Sequence, residues 1–273
     1  MPCELINGTR LHYDEAGHGK AIIFLHGYTG SSRDWEHQVQ LFSKRWRIVA
    51  VDQRGHGRSS DPSEETDYSI PVFSADIFEL LKKLSIEKCC LIGHSMGGFV
   101  ALQFTLDHPE LVAALVLVDT SSGPYDTPPG YAELRARLDE LAANEGLEAA
   151  FEYDAAHNPI RKERFRLHPE QREVAKRKVL NTSVNGYIYV ARSFGNWKPV
   201  TDHLWKIKAP TLIFWGEEDT PFQGASLLLN KSIERSKLIA VPGAGHSPHE
   251  ETPDLFNREL LKFLEEIQWG QEE

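Results

Sequence analysis

The chain has 273 residues, 41% of them hydrophobic and 10% aromatic, enough for one sizeable core. Twenty glycines and fifteen prolines are ordinary counts, which excludes a fibrous repeat or a long disordered tract. The formal net charge of −10, with no long basic stripe, argues against nucleic acid or an anionic membrane as a partner.

In chain order, Cys3 to Ala16 reads as a β-hairpin turning at Asn7-Gly8. Ala21 to Leu25 is a continuous apolar run, as expected of a strand buried on both faces. Ser32 to Phe42 has helical character, with Ser31 or Ser32 available as its cap. Arg47 to Val51 is the next buried strand, and Ile70 to Leu84 repeats apolar residues at helical spacing (Val72, Ile77, Leu80, Leu81, Leu84). Cys89 to Ile92 is a strand, Gly97 to Asp107 a helix, and Leu111 to Val118 contains another strand. This alternation predicts an α/β fold: a mostly parallel sheet flanked by helices on both faces.

The rhythm breaks at Ser121. Residues 122–207 hold amphipathic stretches at Tyr131 to Ala143, Leu147 to Ala156, Pro169 to Leu180 and Val184 to Phe194, with no convincing buried strand. Strands resume at Pro210 to Trp215 and Lys237 to Val241, and a helix over Leu255 to Ile267 follows. Residues 1–121 and 208–273 are therefore expected to form one core, with 122–207 as a helical insertion.

The cysteines are Cys3, Cys89 and Cys90. Adjacent strand residues face opposite ways, so no Cys89–Cys90 disulfide is expected. Buried free thiols suit a reducing, cytoplasmic compartment. Met1 to Tyr13 lacks the basic start and apolar run of a signal peptide, and no apolar stretch reaches membrane-spanning length.

Chemistry concentrates at Leu91-Ile92-Gly93-His94-Ser95-Met96-Gly97-Gly98. A serine with a glycine two residues to either side, between strand and helix, fits a nucleophile elbow. Acyl transfer from Ser95 needs a base, an acid to orient it, and donors for the oxyanion. His246, in the glycine-rich loop Gly243 to His249 after the last strand, is the expected base, with His249 in reserve. The loop after the preceding strand offers Glu217, Glu218 and Asp219; Asp219 fits best, and the glutamates read as solvated charges. Asp119 ends another strand and is the alternative acid, read first as a hydrogen-bonded strand-end residue. The oxyanion donors are the Met96 N–H and, in the loop His26-Gly27-Tyr28-Thr29-Gly30, the Tyr28 N–H. His26 reads as a brace for that loop, and Asp52 to Ser59 as a structural turn.

On these motifs, in the order Ser95, Asp219, His246, the chain resembles the α/β-hydrolase superfamily across residues 20–120 and 208–268. The segment 122–207 resembles the helical cap of family members. The resemblance implies serine-dependent hydrolysis of a small-molecule carboxylic ester or lactone, closest to small capped esterases and enol-lactonases. Serine at the elbow argues against haloalkane dehalogenases and epoxide hydrolases, which use a carboxylate. His94 and Met96 beside Ser95, in place of a tryptophan, argue against proline iminopeptidases. C–C bond hydrolases and cofactor-free perhydrolases on the same triad stay open, as does a non-turnover ligand receptor. Monomer and homo-oligomer also stay open.

No metal cluster is visible, Gly27 to Gly30 is too short for a phosphate loop, and Gly97-Gly98 lacks a following Lys; no cofactor is implied. Arg161, Lys162, Arg164, Arg166, Arg172, Lys176, Arg177 and Lys178 form a basic stretch in an acidic chain. It reads first as a solvated helix face and second as an attractor of anionic substrates. Tyr187, Tyr189, Phe194 and Trp197 read as packing, some lining a pocket roof.

Overall fold

The structure, a computed structural model, describes residues 2–123, 129–267 and 269. Eight strands are β1 (Cys3–Ile6), β2 (Thr9–Ala16), β3 (Ala21–Leu25), β4 (Arg47–Asp52), β5 (Cys89–His94), β6 (Val112–Val118), β7 (Thr211–Gly216) and β8 (Ser236–Val241). They form one sheet in the order β1-β2-β4-β3-β5-β6-β7-β8. The β1–β2 and β2–β4 pairs are antiparallel and every other pair is parallel. The hairpin turns with positive φ at both Asn7 (46°) and Gly8 (78°), the backbone of a tight two-residue turn. Every residue of β3, β5 and β6 is buried, as a strand covered on both faces must be.

The helices are α1 (Glu36–Phe42), α2 (Ile70–Lys83), α3 (Met96–Asp107), α4 (Tyr131–Asn144), α5 (Leu147–His157), α6 (Pro159–Leu167), α7 (Glu170–Leu180), α8 (Val184–Asn196), α9 (Thr220–Ser232), α10 (Pro248–Glu251) and α11 (Pro253–Glu266). Helices α2 and α3 bury Phe73, Ile77, Phe99 and Leu102 against one face of the sheet. Helices α1 and α11 bury Phe42, Phe256, Leu260 and Leu264 against the other. Strand β5 displays both faces: Cys89 and Leu91 join the first cluster, Cys90 and Ile92 the second.

Between β6 and β7 run α4 to α8, with no strand among the described residues. They share an apolar cluster of their own, including Leu138, Leu141, Phe151, Val179 and Tyr187. The neck of this segment is closed by hydrogen bonds. The Val200 N–H donates to the Ser122 carbonyl at 2.7 Å, and the Ser122 and Thr201 hydroxyls meet at 2.8 Å. Residues 124–128 of the expected insertion, and 1, 268 and 270–273 of the expected core, lie outside the described residues.

Helices α6 and α9, and the four-residue α10, are absent from the sequence expectation. Helix α6 buries no residue, so it has no apolar stripe to reveal it; the Asn158 side chain caps its first amides and Pro159 opens it. Helix α9 buries only Phe222, Ser226 and Leu229. The expected cap at Ser31 or Ser32 also fails to form. The chain opens with a short 3-10 turn, and Ser32 is engaged elsewhere, its N–H on Asp52 (2.6 Å) and its hydroxyl on Asp14 (2.7 Å).

All three thiols are free. Burial pushes Cys89 up to about 12 and holds Cys90 well above the usual thiol range, while Cys3 is exposed. A thiol-reactive disulfide reagent should therefore titrate one cysteine in the native protein and three after unfolding in guanidinium. Two fast native thiols would contradict the burial of β5.

Candidate active site

Strand β5 passes into α3 through Ser95, whose φ of 50° and ψ of −115° are strained for a residue with a side chain. Neighbours hold it there. Its N–H donates to the Val118 carbonyl (2.9 Å), and its own carbonyl accepts the Thr120 hydroxyl (2.7 Å) and the Gly98 N–H (2.9 Å). The corner closes only without side chains on either flank. A Cβ at Gly93 would lie 2.2 Å from the Gly97 carbonyl oxygen, and one at Gly97 would lie 2.3 Å from that of Leu25.

The structure brings Ser95, His246 and Asp219 together. His246 Nε2 lies 3.0 Å from Ser95 Oγ, and His246 Nδ1 lies 2.7 Å from Asp219 Oδ2. Asp219 sits buried at the start of α9, whereas Glu217 and Glu218 are exposed. The alternative acid, Asp119, is fully buried with a φ of 41°, and its Oδ1 accepts the Gly216 N–H at 3.0 Å. Burial first, then the nearby charge of Asp219, hold its carboxyl well above the usual carboxylate range. Of the two acids, Asp219 is the one bonded to His246.

The other histidines at the strand ends are buried and kept neutral by desolvation. His26 is pushed down to about 4 and His56 to about 3, and His94 and His249 lie well below the ordinary imidazole value. His249, the reserve base, stacks on Trp35 with ring centres 4.2 Å apart. His26 Nε2 accepts the Gln53 N–H (3.0 Å), so its Nδ1–H is left to donate to the Gly27 carbonyl (2.7 Å). This fixes the tautomer and braces the loop after β3, as expected of His26. The turn from Asp52 to Ser59 is likewise internally bonded, Asp52 accepting from the Arg58 N–H and Nε.

Met96 is the first residue of α3, directly after Ser95, and Tyr28 lies in the braced loop. That loop passes close over the serine: a Cβ on Gly27 would lie 3.2 Å from Ser95 Cβ. Among the described residues no protein acceptor meets the Tyr28 or Met96 N–H. The Tyr28 side chain points elsewhere, donating its hydroxyl to the Tyr187 carbonyl on α8.

A cavity of about 650 Å³ opens over Ser95, roofed by residues of α4, α6, α7 and α8. Ile160, Phe165, Val174, Phe194 and Phe222 give it apolar walls, so Phe194 alone of the four flagged aromatics lines it. Of the basic stretch only Arg161, Arg164 and Lys178 line it. Each is paired: Arg161 with Asp154 (2.7 Å), Arg164 with Glu251, Lys178 with Asp34 (3.1 Å) and Glu250 (2.6 Å). Against these three cations the lining sets five carboxylates, Asp34, Glu170, Asp219, Glu250 and Glu251. Among the described lining residues, cations thus do not outnumber carboxyl groups. Outside it, Arg166 pairs with Glu163, and Arg172 and Lys176 with Glu152. The sequence reading missed Glu251 and Thr120, neither of which belongs to a motif. Among the described residues no group of three or more His, Cys, Asp or Glu side chains could hold a metal ion, and no helix is long and apolar enough to cross a membrane.

The family model described as alpha/beta hydrolase fold matches residues 20–253. The chain is 30% identical over 259 residues to a Bacillus subtilis (strain 168) protein named as a candidate 2-succinyl-6-hydroxy-2,4-cyclohexadiene-1-carboxylate synthase, covering 91% of each chain. It is 25% identical over 285 residues to epoxide hydrolase 4 of Mus musculus, covering 95% of this chain and 77% of that one. Among solved structures it superposes on a thermophilic esterase from Thermogutta terrifontis with a TM-score of 0.83 at 26% identity, covering 94% of this chain and 93% of that one.

The imidazole assignments have a direct check. In long-range ¹H–¹⁵N spectra the His26 and His56 ring nitrogens should keep their neutral shifts from pH 8 down to pH ~5, since their protonation is displaced below that range. A ring titrating near the ordinary value of about 6.5 would refute that residue's burial.

Proposed function

The chain belongs to the α/β-hydrolase family, and from that premise we propose that it is a serine hydrolase cleaving a small-molecule carboxylic ester or lactone through an acyl-enzyme. The observation that carries this reading is the relay itself, with Ser95 Oγ 3.0 Å from His246 Nε2 and Asp219 2.7 Å behind on Nδ1. His246 takes the Ser95 proton as Oγ attacks the acyl carbon. The Tyr28 and Met96 N–H groups, free of protein acceptors among the described residues, receive the oxyanion. His246 then gives its proton to the departing alkoxide, the C–O bond breaks, and the acyl group stays on Ser95. Water enters, loses a proton to His246, and cleaves the acyl–Ser95 bond. The carboxylic acid departs and the proton returns to Ser95.

Relatives differ in the chemistry their names state, and the nucleophile discriminates among them. A hydroxyl rather than a carboxylate faces His246, which favours acyl transfer over the carboxylate-nucleophile route noted above for epoxide hydrolases. The paired state of Arg161, Arg164 and Lys178 favours neutral substrates over anionic ones. Helices α4 to α8 act as the cap of this site, and their apolar wall from Ile160 to Phe194 selects the acyl group.

Ser95→Ala should lower kcat on a p-nitrophenyl ester by about three decades or more, and retained turnover would sink the assignment. Asp219→Asn should cost about two decades or more, because the imidazole loses its charged partner. Asp119→Asn still accepts the Gly216 N–H and should cost less than about tenfold. The reverse order in a side-by-side kcat measurement would move the acid to Asp119.

A further inference from the structure

The loop carrying His246 is held from two sides, and one holder is itself tied to the inserted helices. Glu251, in α10, accepts the Gly245 N–H on Oε2 at 2.8 Å and the Ser247 N–H on Oε1 at 2.9 Å. These are the two amides that flank His246. His94 Nε2 meets the His246 carbonyl itself at 2.6 Å. Glu251 Oε1 also receives Nη2 of Arg164, which comes from α6. Arg164 is anchored in turn through Nε on Gln171 of α7 at 2.5 Å. Its guanidinium presses on the loop backbone, since a Cβ at Gly245 would sit 2.3 Å from Nη1. The pair is largely withdrawn from water, with side-chain exposures of 25% for Arg164 and 14% for Glu251, so it is screened less than a surface pair.

We propose that Glu251 is a positioning residue for His246 and that Arg164 makes its hold depend on how the inserted helices are seated. The proposal rests on reading Ser95, His246 and Asp219 as a catalytic triad. His246 must keep Nε2 on Ser95 and Nδ1 on Asp219 at once, so a small rotation of its backbone breaks one of the two contacts. A carboxylate gripping both neighbouring amides blocks that rotation. Helix α6 packs on the inserted helices through the part-buried Phe165 and has no fully buried residue, and the Arg164–Glu251 pair ties it to the core.

The test uses the full chain with p-nitrophenyl acetate as probe. Glu251→Gln keeps the size but offers one acceptor oxygen in place of two and drops the ion pair. It should lower kcat by about tenfold or more with KM within about twofold, because a misplaced base affects turnover rather than binding. Arg164→Ala should lower kcat by about three- to tenfold, Arg164→Lys should recover part of the loss, and the double variant should be no worse than Glu251→Gln, since Arg164 acts through Glu251. Native-state hydrogen exchange should find the Gly245 and Ser247 amides exchanging about tenfold faster in both single variants, with the sheet unchanged. An additive double variant, or an Arg164→Ala effect confined to KM, overturns the tie and makes Arg164 a substrate contact. Unchanged protection at both amides overturns the positioning role. Exchange needs no turnover, so this failure is distinct from a failure of the hydrolase reading, which Ser95→Ala decides. If Glu251→Gln does not fold, the two Arg164 variants carry both readouts.

Discussion

Between Gly97 and the carbonyl of Leu25 there is room for a hydrogen atom and nothing larger. That contact lets α3 start directly against the end of β3, and with Gly93 it forces the chain through Ser95 at a left-handed φ. A strained residue of this kind costs on the order of 1–3 kcal/mol and persists only where its surroundings over-determine it. Val118, Thr120 and Gly98 supply that restraint through hydrogen bonds on both sides of the serine backbone. The rest of the site is arranged relative to this corner. The sheet order sets β3, β5, β6, β7 and β8 side by side in parallel, so the loops leaving their ends open on one edge. Tyr28, Ser95, Asp119, Asp219 and His246 follow those five strands in turn.

Burial then sorts the protonation states. Five histidines sit at or just after the strand ends, and four are sealed from water and held neutral. The ring of His246 is partly exposed, with a carboxylate on one nitrogen and a hydroxyl on the other. Two carboxyls lie behind it. The deeper one, Asp119, is favoured in its neutral form, and its Oδ1 fixes the amide of Gly216 at the root of the Asp219 loop. A buried acid here serves as a fixed hydrogen-bonding group for the loop of its neighbour.

The parallel strands were legible because burial on both faces writes them as unbroken apolar runs, Ile22-Ile23-Phe24-Leu25 and Leu115-Val116-Leu117-Val118 among them. The residues that meet at Ser95 were legible because each ends a strand in a glycine-rich loop. Helix α6 was not, because periodicity records burial and α6 buries nothing; only Asn158-Pro159 marked its start. The charge balance of the cavity was not legible either. The basic stretch is contiguous in sequence, but its neutralising partners, Asp34, Asp154, Glu250 and Glu251, come from other elements. Glu251 looks like any acidic residue at a helix terminus until the chain's path returns it beneath His246.

The hydrogen-bonded neck at Ser122, Val200 and Thr201 has an evolutionary consequence. The chain leaves the sheet domain and re-enters it at points one hydrogen bond apart; the intervening helices share a cluster of their own, and α8 also buries Val190 and Trp197 in the core beneath. Changes of length between those points leave the two ends of the neck, and so the register of β6 and β7, where they are. The inserted helices and the corner at Ser95 thus lie on separate stretches of the chain, joined by contacts that include Arg164–Glu251, Tyr28–Tyr187, Lys178–Asp34 and the packing of Val190 and Trp197.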